Sequence, residues 1–251
     1  KERLPNYDYQ IYQQRENEPM SAYYYYNVTG IINTDRSNMP ESQKTLQAEA
    51  QLPGCPIIED KNKDGKIDEN DVYMKDNSPA IYVGIGNTFT YKRFEFSFFM
   101  YGQFGIQKYN IAYSAAQAGP LAVDYPENSN KFAYRLWNSQ TNPNGSRPGL
   151  AIGKMGALPG NAWVNADREN ASFMRMRNIT LAYNLAGNIL GSLQRYVRNI
   201  KVYVDAQNPF ILTKFQGFDP EIYTGGGGAS GGSRGEYPQT RTFSLGANIT
   251  F

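Results

Sequence analysis

The sequence predicts an all-β chain whose strands separate lipid from water. The strongest observation is the last stretch, residues 242–251, in which large or apolar residues alternate with small polar ones. Successive side chains of a strand point to opposite faces, so this strand has one apolar face and one polar face. Such strands are typical of transmembrane β-barrels. The alternating apolar residues are Phe243, Leu245, Ala247, Ile249 and Phe251.

Composition is compatible with this prediction. The 251 residues include 20 Tyr and 13 Phe, and no stretch approaches the roughly 18 consecutive apolar residues of a membrane helix. Barrel strands alternate, so they produce no such run. The aromatic excess fits the aromatic girdles of a barrel, but it fits the tyrosine-rich core of a secreted β-sandwich equally well.

Charge and reactive residues exclude several classes of protein. The net charge of +2 gives no indication of a nucleic-acid partner. The chain has no His, which excludes His-based catalysis and His metal sites, and its single cysteine, Cys55, cannot form an internal disulfide. We interpret four acidic residues as solvated loop charges rather than a glycosidase pair, and we expect no enzymatic activity. They are Asp124, Glu127, Asp167 and Asp219.

Seven segments alternate well enough to be antiparallel strands, and their connections are short and long in turn. Three long connections, at about 33–79, 106–170 and 213–239, are rich in Gly, Pro and Asn. Outer-membrane barrels have short periplasmic turns and long extracellular loops, so with a periplasmic C-terminus every long connection is extracellular. The segments are 1–12, 20–32, 80–91, 94–105, 171–185, 199–212 and 240–251.

Seven strands cannot close around a pore, and an open strand edge in lipid would leave backbone groups unpaired at several kcal/mol each. We therefore expect the rest of the barrel to come from a missing N-terminal region or a second chain. Arg175 and Arg177 alternate with Met174 and Met176. Because charge on the lipid face is costly, we expect both arginines in the lumen or near an interface.

Residues 60–71 match the calcium-binding loop of EF-hand proteins, with oxygen side chains at positions 1, 3, 5, 9 and 12 and Gly65 at position 6. The carbonyl at position 7 completes the predicted ligand set, and an Asp replaces the usual Glu at position 12. A structural Ca²⁺ is the first interpretation; an Asp/Asn/Gly-rich turn capped by its own side chains is the second. The predicted metal ligands are Asp60, Asn62, Asp64, Lys66, Asp68 and Asp71.

Several motifs together resemble the SusC/RagA family of TonB-dependent outer-membrane transporters. They include Pro53-Gly54 followed by the 60–71 loop, the strand pair around Tyr91–Phe99, the segment Ala171–Tyr183, and Gly217-Phe218-Asp219-Pro220-Glu221. Tyr237–Phe243 with the terminal strand completes the resemblance. Their order and spacing match the family over most of the chain.

The resemblance implies that residues 1–251 are the C-terminal portion of a 22-stranded barrel whose plug domain is absent from this chain. It implies import of oligosaccharides or peptides, driven by TonB and assisted by a SusD-like surface lipoprotein. The alternative is a secreted, calcium-stabilised β-sandwich that binds glycans. Trp137 and Trp163 could stack on sugars, anchor at the membrane interface or pack within loops.

Overall fold

The computed structural model describes most of the chain. The described residues are 18–19, 22–76, 78–110, 134–149, 163–164, 168–186, 189–217, 219–221 and 239–251. The predicted strand at 1–12 lies outside them. The chain forms two compact units: described residues up to 78 and within 107–169 belong to the first, and those within 79–106, 170–222 and 235–251 belong to the second.

Strands dominate the described residues, together with short 3₁₀ helices at Glu41–Thr45, Ala48–Gln51, Glu69–Asp71 and Gly191–Arg195. No helix in this part of the chain is long and apolar enough to cross a membrane. The strands are β1 (Ala22–Tyr26), β2 (Val28–Ile31), β3 (Pro56–Ile58), β4 (Tyr73–Asp76), β5 (Ile81–Tyr91), β6 (Phe94–Phe104), β7 (Gln107–Tyr109), β8 (Trp163–Val164), β9 (Arg168–Asn170), β10 (Phe173–Ala186), β11 (Asn199–Gln207), β12 (Ile211–Thr213) and β13 (Thr242–Thr250).

The first unit consists of small sheets around a short apolar core. Strand β1 pairs antiparallel with β4 and parallel with β8, while β2 pairs with β3 and β7 with β9. The core contains buried Tyr26, Leu46, Ile58 and Ile67. A second apolar cluster contains Ile32, Cys55 and Ile57.

Assigning residues 20–32 to the barrel wall was wrong for the described residues. The tyrosine-rich run does form strand β1, but its partners are β4 and β8 in the first unit. Tyr24 and Tyr26 share one face of β1 and are buried in protein. The alternation revealed the strand, but periodicity alone carries no information about which strand lies beside it.

The second unit is one antiparallel sheet with the order β13-β11-β10-β6-β5. Strands β5 and β6 form a hairpin in which Tyr91 lies opposite Phe94, so the turn contains only Lys92 and Arg93. Lys92 has φ 56°, the left-handed conformation that tight hairpin turns require. Strand β12 follows β11 and pairs with the first residues of β10. Five of the predicted strands therefore form this sheet, within one or two residues of the expected bounds at most ends.

Candidate functional site on the polar face of the sheet

The register of the second-unit sheet separates apolar from polar side chains. Residues directly opposite each other in an antiparallel pair share a face. Val202 lies opposite Tyr183 on one side and Ala247 on the other, whereas Lys201 lies opposite Asn184 and Asn248. The same division extends through β6 and β5. We call the two sides the apolar face and the polar face. The apolar face includes Ile85, Phe89, Phe96, Phe98, Met100, Ile179, Leu181, Tyr183, Val202, Val204, Leu245 and Ile249; the polar face includes Thr88, Thr90, Glu95, Ser97, Gln103, Arg175, Thr180, Lys201, Asp205, Ser244 and Asn248.

Side chains on the apolar face are exposed to an unusual degree. Leu245 is 82% exposed, and Phe89, Leu181 and Val204 are each about half exposed. A contiguous apolar surface of this kind marks contact with a membrane or another protein. The opposite face carries most of the charged and hydrogen-bonding side chains, together with the aromatic rings of Phe99, Tyr101, Phe173 and Tyr203.

Four charged residues form a group that we call the ion cluster: Arg175, Arg177, Asp219 and Glu221. Arg175 and Asp219 are buried, whereas about a third of the Arg177 side chain is exposed. The Nη2 atom of Arg175 lies 2.6 Å from Oδ1 and 2.7 Å from Oδ2 of Asp219. The Nε atom of Arg175 lies 2.7 Å from Oε2 of Glu221, which also pairs with Arg177. Two positive and two negative charges therefore balance, and little water reaches Arg175 and Asp219.

A β-bulge places both arginines beside these carboxylates. Met176 lies opposite Met100, but the next paired residue is Asn178, opposite Phe99, so Arg177 is the additional residue. A bulge of one residue changes which face the following side chains occupy. It lets Arg175 and Arg177 both reach the ion cluster while Met176 stays on the apolar face. Both arginines thus pair with carboxylates away from the apolar face, as the sequence led us to expect; their position in the lumen or near an interface stays a prediction.

Asp219 also fixes the backbone of two segments. Its Oδ1 atom accepts a hydrogen bond from the Glu221 N–H at 2.9 Å, and its Oδ2 atom accepts one from the Gln239 N–H at 3.2 Å. One buried carboxylate thus ties residues 219–221 and residue 239 to strand β10. The interpretation of Asp219 as a solvated loop charge was wrong. The Gly217–Glu221 motif and the two arginines were the signals that could have identified this pairing.

Other polar contacts cross the same face. Lys201 Nζ donates to Glu95 Oε1 at 2.8 Å, a pair that joins residues from β11 and β6 and is about one third exposed. Thr180 Oγ1 donates to Asp205 Oδ1 at 2.6 Å. The Arg177 guanidinium lies 5.6 Å from the centre of the Tyr101 ring. The Thr180 and Arg177 contacts link neighbouring strands, whereas the Lys201–Glu95 pair reaches across β10.

A cavity of about 190 Å³ lies beside the ion cluster. Arg175 and Asp219 form part of its wall, and Phe210, Phe215 and Pro220 contribute apolar surface. The remaining lining residues are Asn208, Ile211, Thr213, Gly217, Gln239 and Arg241. The cavity therefore combines aromatic surface with charged and amide groups.

The predicted metal loop is fully described, and its side chains hold its backbone. Asp60 accepts hydrogen bonds from the Asp64 and Gly65 N–H groups at 3.2 and 2.9 Å. Asp64 accepts from the Lys66 N–H at 2.9 Å, and Asp68 accepts from the Asn70 N–H at 2.7 Å. Gly65 has φ 85°, which suits the turn at position 6.

Asp71 is the centre of this loop and is completely buried. Its carboxylate accepts hydrogen bonds from the N–H groups of Lys61 at 2.9 Å, Asn62 at 3.4 Å and Asp68 at 2.8 Å. Asp68 and Asp71 together form a capping box at the following 3₁₀ helix. The self-capped turn is therefore the arrangement in the structure. Among the described residues no three acidic, His or Cys groups converge as metal ligands, and calcium binding stays a prediction.

The loop is attached to the core of the first unit. Ile67 is buried beside Tyr26, whose hydroxyl donates to the Asp68 carbonyl at 3.0 Å. Burial raises the pKa of Tyr26 far above its usual range, and the nearby Asp71 carboxylate adds to the shift. The hydroxyl therefore remains a donor at every physiological pH.

The other residues singled out in the sequence have structural environments. Cys55 is buried, and burial raises the pKa of its thiol, so it is not a reactive nucleophile. The Trp137 ring packs against Gly54, where a Cβ atom would lie 2.6 Å from the ring. Asp124, Glu127 and Asp167 lie outside the described residues, as does the side chain of Trp163.

Comparison with known proteins agrees with this arrangement. No family model matches the chain. The TonB-dependent receptor SusC of Bacteroides thetaiotaomicron is 31% identical over 196 residues, covering 76% of this chain and 17% of that receptor. TonB-dependent receptor P3 of Formosa agariphila is 27% identical over 244 residues, covering 94% of this chain and 23% of that receptor. The solved structure of the RagAB peptide transporter covers the whole chain with a TM-score of 0.67 at 23% identity.

The chain belongs to the SusC/RagA family of TonB-dependent receptors. It spans about a fifth of the length of the curated relatives it matches. TonB-dependent receptors are outer-membrane proteins with a β-barrel, and the second-unit sheet has the strand order and face separation of a barrel wall. The relatives named above are described as receptors and a peptide transporter.

Proposed function

We propose that this chain forms part of an outer-membrane importer that takes up oligosaccharides or peptides in a TonB-dependent way. The observation that carries the proposal is the separation of apolar and polar faces across all five strands of the second-unit sheet. A wall with these two faces suits a barrel that meets lipid outside and an aqueous path inside. The relatives named above are receptors and a peptide transporter, which supports the same function.

In this proposal the polar face lines the lumen of a 22-stranded barrel. The C-terminus lies on the periplasmic side, and the segments at about 33–79, 106–170 and 213–239 are extracellular loops. The chain performs no bond chemistry; it encloses a ligand and positions the residues that contact it.

The proposed partners follow from the open edges of the sheet. Among the described residues, β5 and β13 each have a strand neighbour on one side only. An unpaired edge in lipid would cost several kcal/mol for each backbone group, so both edges need neighbouring strands from the rest of the barrel. We propose that the remaining barrel of the same transporter supplies these strands and that its plug domain fills the lumen. TonB acts through the plug, and a SusD-like lipoprotein covers the extracellular side.

Uptake by the intact transporter tests the proposal. A strain that lacks the transporter should fail to accumulate a fluorescent oligopeptide or oligosaccharide that the parent strain imports, and loss of TonB should have the same effect. Reintroducing the full-length gene should restore uptake.

Purification gives an independent control. We expect the full-length protein to fractionate with outer membranes and to aggregate when detergent is withdrawn. A full-length protein that is monomeric and folded without detergent would contradict the proposal and favour the secreted β-sandwich.

A further inference from the structure

We infer that the cavity beside the ion cluster binds a carboxylate group of the transported ligand, with Arg241 as the residue that recognises it. The inference rests on the proposed import function and adds a chemical class of ligand to it. All lining residues of the cavity belong to the second unit.

The charges around the cavity leave one positive group in excess. Arg175 and Arg177 are matched by Asp219 and Glu221 within the ion cluster. Arg241 also lines the cavity, is exposed, and makes no ion pair among the described residues. A guanidinium presents several N–H donors in a planar fork that matches the two oxygens of a carboxylate. Of the described residues that line the cavity, Arg241 is therefore the cation that an entering anionic group would meet.

The backbone directly before Arg241 is held in place beside the cavity by hydrogen bonds. Asn208 Nδ2 donates to the Thr240 carbonyl at 3.2 Å, and the Gln239 N–H donates to the buried carboxylate of Asp219. Strand β13 begins at Thr242. Residues 239–242 are thus held on both sides of Arg241, which limits the positions its side chain can reach and keeps it at the cavity.

The volume and lining of the cavity indicate how much of a ligand can enter it. The volume of about 190 Å³ is below the roughly 300–1,000 Å³ of sites that enclose a drug-sized molecule. Phe210 and Phe215 offer aromatic surface opposite the polar groups. The cavity is therefore suited to one end group, a carboxylate with an adjoining apolar or ring-shaped part. A peptide C-terminus and a uronic acid residue both have this chemistry.

The test measures binding to the purified full-length transporter by ligand-observed NMR, which requires no energised uptake. The probes are N-acetylphenylalanine and its amide for the peptide source, and glucuronic acid and glucose for the sugar source. In at least one of these pairs, we expect the acid to bind about tenfold or more tightly than its neutral counterpart. The pair with the larger difference identifies the source of the carboxylate.

Substitutions test whether the Arg241 side chain causes the preference for the acid. Arg241→Gln should abolish the preference for the acid, and Arg241→Lys, which keeps the charge but not the fork, should retain part of it. Arg195→Gln, an exposed arginine in the Gly191–Arg195 helix, is the matched control and should leave the preference unchanged. Unaltered mobility of the unheated barrel on gels verifies that each variant is folded.

Equal binding of acid and neutral probes in both pairs would overturn the inference, as would an unchanged preference in a folded Arg241→Gln variant. Either result would leave the import function intact, because that function is tested separately by uptake in cells. Conversely, loss of import in the gene deletion with no acid preference in vitro would support the transporter and reject the cavity.

Discussion

Arg175 and Asp219 are joined through both carboxylate oxygens at 2.6 and 2.7 Å, and only 4% and 5% of their side chains are exposed. The pair connects a barrel-wall strand to residues 44 positions further along the chain. Because the same carboxylate accepts two backbone N–H groups, it positions chain segments as well as neutralising a charge.

Replacing Asp219 with Asn should destabilise the full-length barrel by about 3–5 kcal/mol, since Arg175 would keep a buried charge with one partner fewer. Urea unfolding followed by the heat-modified mobility of the barrel measures this change. Glu95→Gln removes a charge from the pair with Lys201, which is about one third exposed, and should cost less than about 1 kcal/mol. Equal losses in the two variants would contradict the special role of the buried pair.

Arginine substitutions at two adjacent positions of β13 test which face of the sheet contacts lipid. Leu245→Arg should destabilise the barrel by about 2–4 kcal/mol, because an arginine near mid-membrane on the lipid side is costly. Ser244→Arg places the same side chain on the polar face and should be far better tolerated. Folded yield in detergent and urea stability provide the comparison. The reverse order of stability would show that the two faces are assigned incorrectly.

The Asp71 carboxylate should determine the stability of the 60–71 loop. Asp71→Ala removes the acceptor of the partly buried hydrogen bonds from the Lys61 and Asp68 N–H groups, which should cost at most about 1–3 kcal/mol for each group. Hydrogen exchange of residues 60–71 in the full-length protein should accelerate strongly. Asp64→Ala, an exposed carboxylate in the same loop, should produce a smaller effect. Similar exchange in both variants would reject Asp71 as the centre of the loop.

Calcium binding by the 60–71 loop is a separate proposal with its own measurement. If Ca²⁺ binds the folded loop, a concentration of 100 times Kd should stabilise it by about 2.7 kcal/mol. Local hydrogen exchange with and without Ca²⁺ would reveal the stabilisation, and Asp60→Asn should reduce it. Asp76→Asn, outside the loop, serves as control. Unchanged exchange at saturating Ca²⁺ would leave only the self-capped turn.

Gly54 and Gly65 have similar backbone angles but different surroundings. Alanine substitutions at the two positions therefore distinguish backbone strain from a steric clash. Gly54 and Gly65 have φ of 88° and 85°, so alanine at either position is strained by about 1–2 kcal/mol. At Gly54 the new Cβ would also lie 2.6 Å from the Trp137 ring, whereas nothing lies within 4 Å at Gly65. Gly54→Ala should therefore increase local hydrogen exchange more than Gly65→Ala does. Equal effects of the two substitutions would show that a clash with the Trp137 ring does not contribute.

Local patterns identified much of this molecule. The alternation in β5, β6, β10, β11 and β13 predicted strands whose bounds the structure largely reproduces, because the side-chain period of a strand is written directly in the sequence. The spacing of Asp60, Asp68 and Asp71 predicted a structural Ca²⁺ site first and a turn capped by its own side chains second. The structure has the self-capped turn, and Ca²⁺ binding stays a prediction. These features depend on residues close to one another in the chain.

The partners of these elements were decided only in three dimensions. Strand β1 has the composition of a wall strand, yet Tyr26 is buried with Ile58 and Ile67 in the first unit. The pairing of Arg175 with Asp219 depends on a bulge at Arg177 and on a contact between residues far apart in sequence. Periodicity specifies which face a side chain occupies, but it carries no information about the neighbour across that face, because that neighbour is set by register and chain path.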